Sequence, residues 1–96
     1  ILDTKNKINA IHRVFTGSLN TSVAHPREIF RSALLNNGAR ILVYHNHPSG
    51  NTEPSEADLI FTKRMEEAGS VLGIDLLDHI IVSGKEWCSL REYGIL

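Results

Sequence analysis

The most nearly continuous apolar run of this chain is Ala39 to Tyr44 (Ala-Arg-Ile-Leu-Val-Tyr), interrupted only by Arg40 and rich in β-branched and aromatic residues. Such a run predicts a strand buried on both faces, at the centre of a sheet. On either side the rhythm changes to a helical one. Pro26 suits a first helical position, and Ile29, Phe30, Ala33 and Leu34 recur at helical spacing up to about Asn36. Asn36-Asn37-Gly38 stops that helix, with Gly38 expected as the left-handed cap. A second helix is expected from Ser55 to about Leu72, with Leu59, Ile60, Met65, Ala68, Val71 and Leu72 as a broken apolar stripe and Gly73 as its cap.

Strand-like alternation returns over Ile74 to Ser83. Ser83-Gly84-Lys85 then turns the chain into a short strand from Glu86 to about Leu90, making a hairpin. At the front, residues 7–16 read as a strand, two-sided or bulged because Ile11 and Phe15 fall out of phase. Ile1-Leu2, ahead of the polar turn Asp3 to Lys7, reads as the tail of a hairpin strand whose beginning lies upstream, so the chain is expected to be a fragment. Gly17 to Asn20 reads as a bend and Thr21 to Ala24 as a short extended piece. Strand, helix and strand in this order predict one α/β domain, three-layer-like, with a mixed central sheet flanked by two helices.

Composition narrows the function. Ninety-six residues make one domain. A formal net charge of −1 gives no general field for nucleic acid. The single cysteine, Cys88, excludes an internal disulfide and a Cys-rich zinc site, and suits a cytoplasmic protein. No apolar run approaches the roughly 20 residues of a membrane span.

The chemistry concentrates between His45 and Asp58. His45 and His47, two apart at the end of a strand, share a face. Ser55 and Asp58, three apart at a helix start, share another. The Pro- and Gly-bearing loop from Pro48 to Pro54 is long enough to fold the helix end over the histidines. Two histidines, one aspartate and an open position make a catalytic zinc site. Ser55-x-x-Asp58 equally fits a helix capping box, and His-x-His pairs occur in strands without metal. Asp78 and His79 lie mid-strand, either hydrogen-bonded for structure or supporting a metal ligand from behind. His12 reads as an ordinary strand histidine, Glu28 as a favourable charge in a helix's first turn, and Cys88 as packing.

His45-Asn46-His47-Pro48-Ser49-Gly50 followed by Pro54-Ser55-x-x-Asp58 resembles the JAMM (MPN-type) metalloprotease motif, and specifically the RadC family of bacterial JAB domains. Leu2-Asp3-Thr4-Lys5-Asn6, Gly17-Ser18-Leu19-Asn20, His25-Pro26-Arg27-Glu28 and Leu76 to Val82 agree with that family, so the resemblance covers essentially the whole chain. It implies a cytidine-deaminase-like α/β fold, one zinc ion per chain held by His45, His47 and Asp58, and Ser55 as the donor to the oxyanion. It also implies hydrolysis of a peptide or isopeptide bond. The general-base Glu of the family belongs on a strand before Ile1, outside these 96 residues, so the fragment is expected to bind metal better than it cuts.

Two other readings compete. One is a DNA-associated protein, as the DNA-repair name of the RadC family suggests; nucleic acid would then be met through segments upstream of this chain. The other is a non-catalytic metal-binding scaffold, repair- or mobile-element-associated. A deaminase needs His-x-Glu and Pro-Cys-x-x-Cys, which one cysteine cannot supply. The edge near Ile1 could also pair with a second copy.

Overall fold

The computed structural model describes residues 1–11, 26–47 and 50–96. The end of the strand expected over 7–16, His12, the bend at Gly17–Asn20, the piece from Thr21 to Ala24, and Pro48-Ser49 lie outside the described residues. Within them the order is α1 (Pro26–Leu35), β1 (Arg40–Asn46), α2 (Glu56–Leu72), β2 (Asp75–Ser83) and β3 (Glu86–Ser89). β1 and β2 run parallel, joined by α2, and β2 and β3 form an antiparallel hairpin turned at Gly84-Lys85. The fold is thus an α/β domain with a mixed sheet and two helices.

Among the described residues β2 lies in the middle, in the order β1-β2-β3. The strand expected at the centre, β1, has full pairing on one side. On the other, Leu2 makes an isolated bridge with its first residue, Arg40. Its outward residues Tyr44 and Asn46 are accordingly exposed. At the front, Leu2 bridges Ile8 around a turn in which the Asp3 carboxylate accepts from the Lys5 and Lys7 amides, and the Asn9 N–H donates to the Ile1 carbonyl at 2.8 Å.

A β-bulge decides what β2 presents inward. Ile41 pairs with Leu76 and Leu42 with Asp78, leaving Leu77 as the extra residue. Strict alternation would put Leu76 and His79 on opposite faces. The extra residue brings His79 to the same side as Leu76, followed by Ile81 and Ser83; all four are buried.

The core is Ile29, Phe30, Ala33, Ile41, Phe61, Met65, Ile74 and Leu76. α1 turns Ile29, Phe30 and Ala33 inward, whereas Leu34, expected on that face, is 57% exposed. In α2 the buried face is Asp58, Phe61, Thr62, Met65 and Gly69; of the apolar stripe expected there, Met65 is buried and Ala68 packs against the core. Leu59, Ile60, Val71 and Leu72 are exposed, because the face that meets the sheet carries two polar residues. Gly69 is required there, since a Cβ would come 2.3 Å from the Ile74 carbonyl oxygen. The left-handed residue after α1 is Asn37 (φ 53°) rather than Gly38. Gly38 is needed for space, a Cβ meeting the Ile1 side chain at 2.6 Å. Gly73 is the left-handed cap of α2 as expected.

Candidate metal centre

β1 runs two residues past Tyr44, so His45 sits inside the paired strand. His47 is fixed just beyond it: its N–H donates to the Val82 carbonyl at 2.8 Å, and its carbonyl accepts from the buried Ser83 hydroxyl at 2.5 Å. Residues 41, 43, 45 and 47 point to one side of β1. The alternation that sends Ile41 and Val43 into the core therefore sends both imidazoles toward the start of α2.

That helix start is a capping box. The Ser55 hydroxyl accepts from the Asp58 N–H at 3.1 Å, and Asp58 Oδ2 accepts from the Ser55 N–H at 2.7 Å. The cap and the ligand set were rival readings of Ser55-x-x-Asp58, yet the geometry contains the cap and aims the same carboxylate at the histidines. His45 Nε2 lies 2.9 Å from Asp58 Oδ1 and His47 Nε2 lies 3.1 Å from Oδ2. Burial alone would raise the Asp58 carboxyl. The adjoining His45 ring and the Ser55 cap outweigh it, holding the group well below the usual carboxylate range.

Hydrogen-bond accounting shows what belongs between these groups. His47 Nδ1 is 2.9 Å from the Asn51 carbonyl oxygen, which can only accept, so Nδ1 carries the hydrogen and neutral His47 offers a bare Nε2. Among the described residues, the buried Asp58 Oδ1 has no hydrogen bond: His45 Nε2 is near but not aligned as a donor to it. A buried carboxylate oxygen without a donor is costly, and a cation shared with the imidazole nitrogens removes that cost. The donor set therefore fits a divalent metal.

The nitrogen and carboxylate atoms of His45, Asp58 and His79 also lie within 4.8 Å of one another, close enough to hold a metal ion. His79, however, has both ring nitrogens engaged: Nε2 with His45 Nδ1 at 2.9 Å and Nδ1 with the Thr62 hydroxyl at 2.6 Å. Burial, and next the neighbouring His45, lower its pKa to about 4, so it is neutral near pH 7. His47 Nε2 faces Asp58 Oδ2 at 3.1 Å, and among the described residues it has no other polar partner. Side-chain exposures of 13% for His45 and 19% for His47, against 1% for Asp58, leave a solvent-facing side to the site.

Asp78 takes the other direction. It accepts from the His79 and Arg91 amides at 2.7 and 3.1 Å and from the Ser89 hydroxyl, tying β2 to the turn after β3. Burial, with Asp78 and Glu92 nearby, pushes the Cys88 thiol up, away from nucleophile chemistry. Thr62 is the residue the sequence reading missed. Its signal was its place four residues after Asp58, on the same helical face.

Known proteins resemble this chain throughout. The family model described as RadC-like JAB domain matches residues 1–95. A UPF0758 protein of Enterococcus faecalis is 59% identical over 91 residues, 95% of this chain and 39% of its own length. UPF0758 proteins of Clostridium beijerinckii and Clostridium botulinum are each 50% identical over 96 residues, all of this chain and 42% of theirs. The chain thus spans about two fifths of the curated relatives it matches. No helix among the described residues is long and apolar enough to cross a membrane.

Proposed function

As this chain belongs to the RadC family of JAB domains, we propose that it is the metal-binding part of a zinc-dependent hydrolase that cleaves a peptide or isopeptide bond. The observation that carries the reading is the convergence of His45 Nε2, His47 Nε2 and the Asp58 carboxylate, one of whose oxygens is buried without a donor. Nitrogen and oxygen donors with one side open suit zinc in a catalytic rather than a closed structural site. Bound there, zinc would polarise an amide carbonyl and lower the pKa of its water to about 7.

The protein's own groups supply the rest. Ser55 spends a lone pair on the cap and keeps its hydroxyl hydrogen, which it can give to the oxygen of a tetrahedral intermediate. A donor of that kind contributes on the order of 3 kcal/mol. The capping box holds Ser55 and Asp58 in one rigid unit, so the oxyanion donor and a metal ligand are placed by the same helix turn. The carboxylate that carries the proton to the leaving amine belongs, on this reading, to the longer protein.

The test uses the full-length protein and a set of peptide and isopeptide amides. Zinc-dependent cleavage that falls by about 100-fold or more in Ser55→Ala, with zinc content unchanged, is the expected result. A zinc-loaded full-length protein whose cleavage is indifferent to Ser55→Ala would remove the assigned chemistry. One that cleaves nothing favours the scaffold reading.

A further inference from the structure

We infer that Thr62 and His79 form a hydrogen-bonded relay that holds His45 with Nε2 turned to the metal, which makes both of them positioning residues and neither a ligand. The inference rests on the metal-binding reading above and extends it to residues behind the site.

The order of the hydrogens follows from one end. The Thr62 hydroxyl has a single hydrogen, and 2.8 Å away is the Asp58 carbonyl oxygen, which can only accept. Once that hydrogen is donated, the Thr62 oxygen is an acceptor toward His79 Nδ1 at 2.6 Å, so Nδ1 carries the hydrogen of neutral His79. His79 Nε2 is then bare, and at 2.9 Å it accepts from His45 Nδ1. His45 in turn has its hydrogen on Nδ1 and its lone pair on Nε2, facing Asp58 Oδ1. Three groups, the Thr62 hydroxyl and the His79 and His45 rings, are ordered from one helix carbonyl.

The position of His45 explains why a relay is used. His47 lies past the end of β1 and gives its Nδ1 hydrogen directly to a loop carbonyl, that of Asn51. His45 lies within the paired strand, where neighbouring carbonyls serve the sheet ladder. Its ring hydrogen therefore needs a side-chain acceptor, and the bulge at Leu77 brings one, His79, to the inward face. His79 and Thr62 are 0% and 1% exposed, so water does not compete for these bonds. Phe61 closes one side of the imidazole, its ring edge-on at 5.7 Å between centroids. Thr62 also sits one turn after Asp58, so a single helix segment delivers one ligand and orients another.

Two measurements test this. Long-range 1H–15N NMR of the zinc-loaded protein reads imidazole tautomers without any substitution. It should show His45 and His79 both protonated at Nδ1, with Nε2 metal-bound in His45 alone. A hydrogen on His79 Nε2, or a metal-shifted His79 nitrogen, overturns the relay. Zinc affinity by chelator competition should fall about 10- to 100-fold in Thr62→Val and recover in Thr62→Ser, which restores the hydroxyl. A folded Thr62→Val protein with unchanged affinity also overturns it. If Thr62→Val does not fold, the tautomers decide. A native protein that binds zinc with the wrong tautomers refutes the relay alone, whereas one that takes up no zinc refutes the metal reading and the relay with it.

Discussion

The seam where α2 meets the sheet has two ends, built by the same elements and opposite in chemistry. At one end Ile41, Phe61, Met65 and Leu76 are buried against one another. At the other, four residues on from Ile41 in β1, three on from Leu76 in β2 and about one turn back along α2, the same faces carry His45, Asp58, Thr62 and His79. The apolar end works by surface removed from water, which is non-directional. The polar end is as deeply buried at Asp58, Thr62 and His79, yet each hydrogen there has an assigned acceptor and one carboxylate oxygen is left over. Burial without full pairing opposes folding. Apolar packing and the candidate metal centre sit side by side on one helix face, so substitutions can address each by itself.

Breaking the apolar end should have the largest effect on folding. Met65, fully buried, cut back by Met65→Ala should lower the free energy of unfolding by about 2–5 kcal/mol. The folded fraction should bind zinc with unchanged stoichiometry, as read by denaturant titration and metal analysis.

Metal linkage sharpens the contrast from the other end. Zinc at about 100 times its Kd should add about 2.7 kcal/mol to unfolding, and a chelator should remove it. His47→Ala should fold and show no zinc-linked shift in Tm. If His79 rather than His47 were the third ligand, that shift would survive the substitution.

Gly69→Ala places a Cβ against the Ile74 carbonyl at the end of α2 remote from the metal. It should cost about 1–3 kcal/mol with zinc affinity intact. The smallest effect is expected of Ser55→Ala, which loses the cap for about 0.5–2 kcal/mol while keeping Asp58 as a ligand. Thermal melts with and without zinc would separate the two contributions.

Much of this arrangement is legible in the sequence, and the gaps have physical causes. His45-x-His47 at a strand end and Ser55-x-x-Asp58 at a helix start are local patterns, so their side-chain directions follow from backbone geometry. The buried face of α2 was misread because periodicity weighs apolar residues. Asp58 and Thr62 occupy inward positions that a hydrophobic stripe cannot reveal, and the apolar Leu59, Ile60, Val71 and Leu72 drew the stripe off phase. The inward turn of His79 depends on one unpaired residue, Leu77, and pairing register is not written locally. Gly38 was assigned a backbone role that Asn37 plays, because either residue can take the left-handed turn and only packing against Ile1 decides between them.

Whether His45, His47 and Asp58 form one metal site is decided by elemental mass spectrometry of the purified protein, with Asp58→Ala prepared in parallel. About one zinc per chain in the native protein and none in the folded variant is the predicted result. No zinc in the native protein after addition of the metal at neutral pH, or equal zinc in both, would contradict it.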